Sequence, residues 1–371
     1  METLIESKQS KHEQISSVID KGQRVDIIAS LDNVRFGRSP KCNDESSKFL
    51  FDVTVPLNDG RHRMRFEGTP LFLDNMYREI GGSGFAKYAT YLTDTRQIGL
   101  LEKNVNEQLS RKAKHFMLRG LIGRDGNTTM RALLSTKYKR INDDTIHDLV
   151  SKIMDKNTHF KCLGGGSSAR RTYVRYVTVE PIVMGNRKLY FGFQWTNSEI
   201  GEGYFELELF VCDGYCDNGM VFNSEDIESI RMKHSGKNYV GDTGILRKEH
   251  VYGLDYKIAR SVEWMISDAN IQRLENMVIG SFEKTFESDV EKDQLIIEAV
   301  GKHYKLSEDL ITQAVEDFDR RERHAYGLQA AFTSAAQKQP CFDLRDQVDR
   351  IGGEIVSKTK DEFDKLIALA A

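Results

Sequence analysis

The chain has 371 residues, is 39% hydrophobic and 29% charged, and carries a net charge of only −3, a composition typical of soluble globular proteins. Its apolar runs are shorter than about eighteen residues and its N-terminus is polar, which predicts neither a membrane span nor a secretory leader. Five scattered cysteines, an odd number, argue against a disulfide framework and predict a reducing cytoplasm.

The first part of the chain predicts a polar lead-in and then short strands. Residues 1–20 have the composition of a frayed helix. The segments RVDIIASLDNVRF, KFLFDVTVPL and RHRMRFEG alternate apolar and polar residues as strands do, and GRSPKCNDESSK between the first two is a loop by composition. We therefore expect residues 1–65 to form an N-terminal extension with short strands.

Helical and hairpin signals follow. Thr69 and Pro70 favour the start of a helix that the Gly81-Gly82 pair would end, and VNEQLSRKAKH predicts a second helix. The segment FMLRGLIGRDGNTTMRALLS has the form of two strands joined by an Asp-Gly turn. NDDTIHDLVSKIMDK predicts a further helix, in which Asn142 or Asp143 is the cap and the neighbouring acids favour the helix dipole.

The remainder predicts a β-rich centre and a helical C-terminal part. Three alternating strands lie within residues 170–212, a long helix within 255–287, and helices within 294–371. The fold class is therefore α+β, with antiparallel hairpins and packing helices in a core of residues 66–288. Residues 289–371 form an acidic helical region, because from Glu283 onward nineteen acids face thirteen bases.

The stretch VCDGYCDNGMVF contains two cysteines, Cys212 and Cys216, beside turn-forming Asp-Gly and Asn-Gly pairs. We interpret it as a turn between two strands with structural cysteines. A zinc set would add His159 and Cys162, but C-x3-C with a distant H-x-x-C is a weak signal for zinc. A redox pair is a third alternative, although C-x-x-C is the usual spacing.

Three segments resemble the phage/plasmid-like family catalogued as domain of unknown function 932. They are TPLFLDNMYREIG with FAKYATYL and NVNEQL, then FMLRGLIGRDGNTTMRALLSTKYKRINDDTI, then FVCDGYCDNGMVF leading to IRMKHSGK. The segment HAYGLQAAFTSAA is similar to a further family segment, so the resemblance spans roughly residues 66–336. The resemblance implies that the chain is encoded by a mobile genetic element and is located in the cytoplasm of a bacterial host. It does not supply a set of catalytic residues.

Basic residues concentrate in two places. Between Arg111 and Arg140 nine bases face one acid, a net charge of +8. These bases are Arg111, Lys112, Lys114, Arg119, Arg124, Arg131, Lys137, Lys139 and Arg140. A second cluster comprises Lys161, Arg170, Arg171 and Arg175, beside a glycine-rich segment, residues 164–168, that is either a mobile hairpin tip or an anion cradle. Such clusters bind phosphate backbones, unless they are merely a solvated basic face.

Aromatic residues among these bases, Tyr138 and Tyr173, suggest stacking platforms for single-stranded bases, although strand aromatics are more often core residues. The first hypothesis is therefore a phage- or plasmid-encoded protein that binds nucleic acid, favours single-stranded DNA and acts in replication or recombination. Three strands followed by a long helix are similar to the core order of the annealing fold of recombination mediators. That analogy implies single-strand annealing and a homo-oligomer.

Two alternatives remain open. The acidic C-terminal region and the charge segregation also suit an interaction protein, such as an anti-defence factor or regulator that binds a host protein. A metal-dependent nuclease is the third hypothesis, but P-loop, H-E-x-x-H and G-x-S-x-G motifs are all absent from the sequence. The sequence therefore predicts a binding protein rather than an enzyme, without a cofactor.

Overall fold

The computed structural model describes residues 22–39, 51–56, 63–123, 126–184, 187–214, 219–222, 230–232, 234, 248–319 and 322–370. Two sheets and ten helices within these ranges confirm the α+β class and the helical C-terminal part. None of the helices described is long and apolar enough to cross a membrane.

Six strands form the first sheet. They are β1 (Gln23–Ser30), β2 (Arg35–Arg38), β3 (Phe51–Pro56), β4 (Arg63–Gly68), β5 (His115–Ile122) and β6 (Thr128–Leu134). Their order is β1-β5-β6-β4-β3-β2, and every pairing is antiparallel except β4 with β6. The N-terminal strands therefore share a sheet with the predicted β5–β6 hairpin. The boundary expected near residue 65 is not a structural division, because β1 and β4 supply the neighbours that β5 and β6 need.

Two helices, α1 (Pro70–Asp94) and α2 (Ile98–Ser110), pack on one face of this sheet through a shared apolar core. The predicted start of α1 is confirmed, since the Thr69 hydroxyl accepts a hydrogen bond from the Phe72 amide at 3.3 Å. The predicted end at Gly81-Gly82 is confirmed as a break in the helix. Gly82 adopts a φ of 75°, which kinks the helix, and the chain resumes helical form because Ala86 and Ala89 remain in the core.

Seven strands form the second sheet. They are β7 (Phe160–Ser167), β8 (Thr172–Thr178), β9 (Ile182–Met184), β10 (Arg187–Asn197), β11 (Phe205–Asp213), β12 (Gly219–Phe222) and β13 (Ile230–Met232). The order is β12-β11-β10-β8-β7, and β9 and β13 pair with β10 and β11. Because side chains alternate along the strands, one face of the sheet is apolar and the other carries polar side chains. Phe193 and Trp195 point into the main core, whereas Gln194 points to the opposite face.

Helices α3 (Asp143–Met154), α4 (Lys248–Met265) and α5 (Asp268–Glu283) contribute to the main core. The single helix predicted for residues 255–287 is therefore two helices. The break follows Met265, where the Ser267 hydroxyl and the Asn270 amide both donate to the Trp264 carbonyl, at 2.8 and 2.6 Å. These side-chain bonds replace the helical ones and turn the chain.

The C-terminal helices are α6 (Val290–His303), α7 (Glu308–Asp317), α8 (Ala325–Gln337), α9 (Phe342–Ser357) and α10 (Lys360–Ile367). They share a core of their own, and α9 also covers the face of the second sheet opposite the main core. Its Gly353 lies directly on the backbone of β12, where a Cβ atom would overlap the Val221 carbonyl oxygen. Glycine at this position sets how closely α9 approaches the sheet.

We expect Gly353→Ala to lower the free energy of unfolding by about 1–3 kcal/mol, because the added methyl group forces α9 away from β12. Gly280→Ala in α5 is the matched control, since nothing lies within 4 Å of its Cβ position. It should raise the free energy of unfolding by about 0.5–1 kcal/mol through helix propensity. Urea denaturation of both variants measures the two effects, and equal stability of both would contradict the close contact.

Candidate functional site

The predicted basic residues separate into buried and exposed groups. Arg119, Lys161, Tyr173 and Arg175 are buried. The side chains of Arg131 and Arg140 are only 19% and 21% exposed. Nucleic acid cannot reach the four buried residues, so the interface predicted there is corrected. The exposed residues are Arg111, Lys114, Lys137 and Arg170, and Lys112 is half-buried. Arg124 lies outside the described residues.

A buried carboxylate explains why so many arginines lie inside. Glu199, directly after β10, is 1% exposed at its side chain and accepts hydrogen bonds from Arg24 of β1 at 2.7 Å and Arg131 of β6 at 3.2 Å. The guanidinium of Arg119 of β5 lies 3.9 Å away, and the Asp143 amide donates to the same carboxylate at 2.9 Å. We call these five residues the junction cluster, because they join the two sheets.

The pKa values of the two acids of the junction cluster are shifted in opposite directions. Burial alone would raise the pKa of Glu199, but the Arg24 hydrogen bond and the charges of Arg119, Arg24 and Arg131 hold that pKa below its usual range. Burial and the negative charge of Glu199 raise the pKa of Asp143 to about 7. Asn197 and Thr172 donate to the Asp143 carboxyl at 2.6 and 2.8 Å. Asp143 is therefore more than the ordinary helix-start acid that the sequence suggested.

Other predicted residues surround the junction cluster in structural roles. Arg140 forms an ion pair with Asp26 at 3.0 Å. The Tyr138 hydroxyl donates to the Ser198 carbonyl at 3.0 Å, and its ring stacks on His234 with centroids 5.0 Å apart. The ring nitrogen Nδ1 of His234 lies 3.0 Å from the Lys139 carbonyl oxygen. Tyr138 is thus held by the protein itself, and the stacking platform predicted there is corrected.

A second buried charge network lies between the second sheet and α9. Arg175 donates to Gln194 at 2.7 Å and to Asp349 at 2.5 Å, and the Gln194 amide donates to Asp346 at 2.7 Å. Burial raises the pKa of Asp349 to about 6, with the charge of Arg175 opposing that shift. The guanidinium of Arg175 also lies 4.8 Å from the centroid of the Tyr173 ring. Arg175 therefore holds α9 to the sheet, and the Tyr173 ring packs against Arg175.

The glycine-rich segment beside this network is a strand rather than a loop. Gly165 and Gly166 belong to β7 and pair with Val174 and Tyr173 of β8. In the following turn Arg171 lies 3.3 Å from Asp343 and 2.9 Å from Asp346, two carboxylates of α9. The anion cradle predicted at residues 164–168 is therefore wrong, because these carboxylates already pair with the arginine that an anion would need.

The exposed cations gather at one end of the β5–β6 hairpin. Met117 pairs with Leu134, so the residues before β5 lie at the same end as the turn after β6. Lys112, Lys114 and His115 precede or begin β5, and Lys137 occupies the turn. We call these four residues the hairpin patch. Lys112 and Lys114 share one carboxylate, Glu79, at 3.2 and 3.3 Å.

The two exposed arginines, Arg111 and Arg170, form ion pairs at the surface. Arg111 pairs with Glu107 at 2.5 Å and Arg170 with Glu202 at 3.4 Å. Within the described part of the chain, Lys137 forms no ion pair. The hairpin patch therefore keeps an excess of positive charge where the buried arginines do not.

The predicted cysteine and histidine set does not assemble. Cys162 belongs to the main core, whereas Cys212 lies with Val177 and Phe210 on the opposite face of the second sheet. His159 is exposed before β7, and Cys216 lies outside the described residues. Among the residues described, no group of three or more His, Cys, Asp or Glu is arranged to hold a metal ion. β11 ends at Asp213 and β12 begins at Gly219, and the predicted turn between them falls on residues 215–218, which lie outside the described residues.

In comparisons with known proteins, no protein-family model, no curated protein and no solved structure matches this chain.

Sequence reasoning missed Glu199 and Arg24. Glu199 reads as a surface acid in the polar segment TNSEIGEG, and Arg24 reads as the polar position of an alternating strand. The two residues are 175 positions apart, so no local pattern connects them. The available signal was the excess of arginine over lysine on β5 and β6, because buried ion pairs favour the planar, bidentate guanidinium.

We expect Glu199→Gln to lower the free energy of unfolding by about 3–5 kcal/mol, because it leaves buried arginines without their shared carboxylate. The matched control, Glu202→Gln, removes one exposed pair with Arg170 and should cost less than about 1 kcal/mol. Denaturant titration of both proteins measures the difference. A loss below about 1 kcal/mol for Glu199→Gln would contradict a central role for this carboxylate.

The raised pKa of Asp143 predicts a pH dependence of stability. Its ordinary value is 3.8 and its value in the folded protein about 7, so folding favours the protonated form. This contribution is complete below pH 4 and is lost as the pH rises to 7, at about 1.4 kcal/mol per pH unit. We expect Asp143→Asn to flatten stability between pH 5 and pH 7, measured by urea titration. An unchanged slope would contradict the shift.

Proposed function

We propose that this chain binds single-stranded nucleic acid, with DNA favoured, through the hairpin patch. The observation that carries the proposal is the exposure of Lys114 and Lys137 at one end of the first sheet. Two segments of the basic stretch supply them, one on each side of the β5–β6 hairpin. Only Glu79 pairs with the patch in the described structure, so two lysines share one carboxylate.

The physical basis is the release of counterions from the phosphate backbone. Each lysine that contacts a phosphate displaces condensed cations, and binding weakens as salt concentration rises. The buried arginines take no part in this effect, because their charges are compensated inside the protein. We therefore expect the salt dependence of the binding affinity to be set by the few exposed cations of the patch, not by the whole basic stretch.

The resemblance to the phage/plasmid-like family supports a role in the replication or recombination of a mobile element, in a bacterial host cytoplasm. The antiparallel order of β8, β10 and β11, with α4 contributing to the same core, supports the narrower proposal of single-strand annealing by a homo-oligomer. Faster duplex formation between complementary strands in the presence of protein would test that narrower proposal. An unchanged annealing rate would leave a binding protein without annealing activity.

Replacing Lys112, Lys114 and Lys137 by Gln tests the site. We expect weaker binding of labelled single-stranded DNA in fluorescence anisotropy. The plot of log affinity against log salt should become shallower by about 2, since each phosphate contact contributes roughly 0.7 on single strands. The matched control replaces three exposed lysines of the C-terminal helices, Lys292, Lys302 and Lys365, and should bind like the wild type.

Two results would overturn the proposal. The first is absence of binding by the wild-type protein at low salt. The second is equal weakening in the patch variant and in the control, which would reduce the effect to net charge. Comparison of single strands with duplex in the same assay tests the preference, and equal affinity for both would remove it.

A further inference from the structure

We propose that Tyr88 and Tyr91, on the second half of α1, form a stacking platform for unpaired bases. This inference rests on the proposed function and names the part of the ligand that the lysines do not recognise. Tyr88 is 40% exposed and Tyr91 is 56% exposed, so both rings are accessible to a ligand. Both tyrosines lie within the segment YATYL.

The geometry of α1 presents both rings to solvent. Residues three apart in a helix are neighbours on one face, so Tyr88 and Tyr91 lie side by side. The face that packs on the first sheet is formed by Ala86, Ala89 and Leu92, which are buried in its core. The exposure of the two tyrosines follows from this orientation of the helix.

Tyr88 is also held in a fixed position. Its ring centroid lies 6.4 Å from that of Phe85, which in turn lies 6.3 Å from the ring of Tyr77 in the core. The Tyr88 hydroxyl accepts a hydrogen bond from the Asn104 amide of α2 at 3.4 Å. A ring that is already ordered loses little conformational entropy when a base stacks on it.

The platform lies on the same α1–α2 surface as the hairpin patch, at a distance from it. From Asn104, beside Tyr88, α2 runs seven residues to Arg111, which is about 10 Å along the helix axis. Lys112 and Lys114 follow, and both contact Glu79 of α1. A strand bound at the patch can therefore continue along the α1–α2 surface. This continuity with positive charge favours a nucleic acid over an apolar protein partner.

The experiment compares two ligands and three variants. The ligands are a labelled oligothymidylate and a matched oligomer in which abasic sites replace the bases. The variants are Tyr88→Ala with Tyr91→Ala, the same positions changed to Phe, and Tyr256→Ala on α4 as the control, since Tyr256 is 65% exposed. We expect the double Ala variant to bind oligothymidylate about tenfold more weakly per tyrosine, with an unchanged salt slope.

Removal of the bases should weaken wild-type binding to the same degree and leave the double Ala variant unaffected. The Phe variant should bind like the wild type, because stacking needs the ring and not the hydroxyl. Urea titration confirms that each variant is folded. Equal affinity of the wild type and the double Ala variant for oligothymidylate would overturn the platform while leaving the proposed function intact.

Three further outcomes separate the explanations. Equal losses of the double Ala variant on both ligands would show that the rings contact the backbone, and would overturn base stacking. Unchanged DNA binding with an altered mass in light scattering would assign these tyrosines to a contact between copies of the chain. Absence of wild-type binding at low salt would remove the proposed function together with this inference.

Discussion

The ion pairs around Glu199 are the interaction on which the arrangement of the two sheets depends. One carboxylate of the second sheet accepts hydrogen bonds from Arg24 and Arg131 of the first sheet, and from the amide that begins α3. Isolated burial of any one of these charges would be strongly unfavourable. The sheets must therefore meet in the orientation that brings the charges together, which gives the junction a specificity that apolar packing alone does not provide.

This arrangement shows that most of the arginines in the basic stretch between Arg111 and Arg140 serve structural ion pairs. A net charge of +8 between Arg111 and Arg140 suggested one continuous cationic surface. The structure divides it by residue type. The arginines on strands, Arg119 and Arg131, point inward to carboxylates, and the lysines at strand ends, such as Lys114 and Lys137, remain at the surface. The positive charge available to a ligand is consequently small and is confined to the hairpin patch.

Much of the fold was predictable because its signals are local. The Thr69-Pro70 helix start, the Asp-Gly hairpin and the alternation of β10 each depend on a few neighbouring residues. The failures share a different cause. Alternation along β8 predicts that Arg175 points to one face of the sheet, but it cannot show that α9, more than 160 residues later, covers that face. The break after Met265 was hidden because both halves have the same helical period.

The pairing of β1 with β5 and of Arg24 with Glu199 has a consequence for the order of folding. The β1 strand leaves the ribosome early, but its neighbour in the sheet begins at His115 and its carboxylate partner lies 175 residues away. Contacts of such sequence separation close large loops and slow folding. The N-terminal strand must therefore wait for most of the β structure to be synthesised, exposed meanwhile to other strand edges and to chaperones.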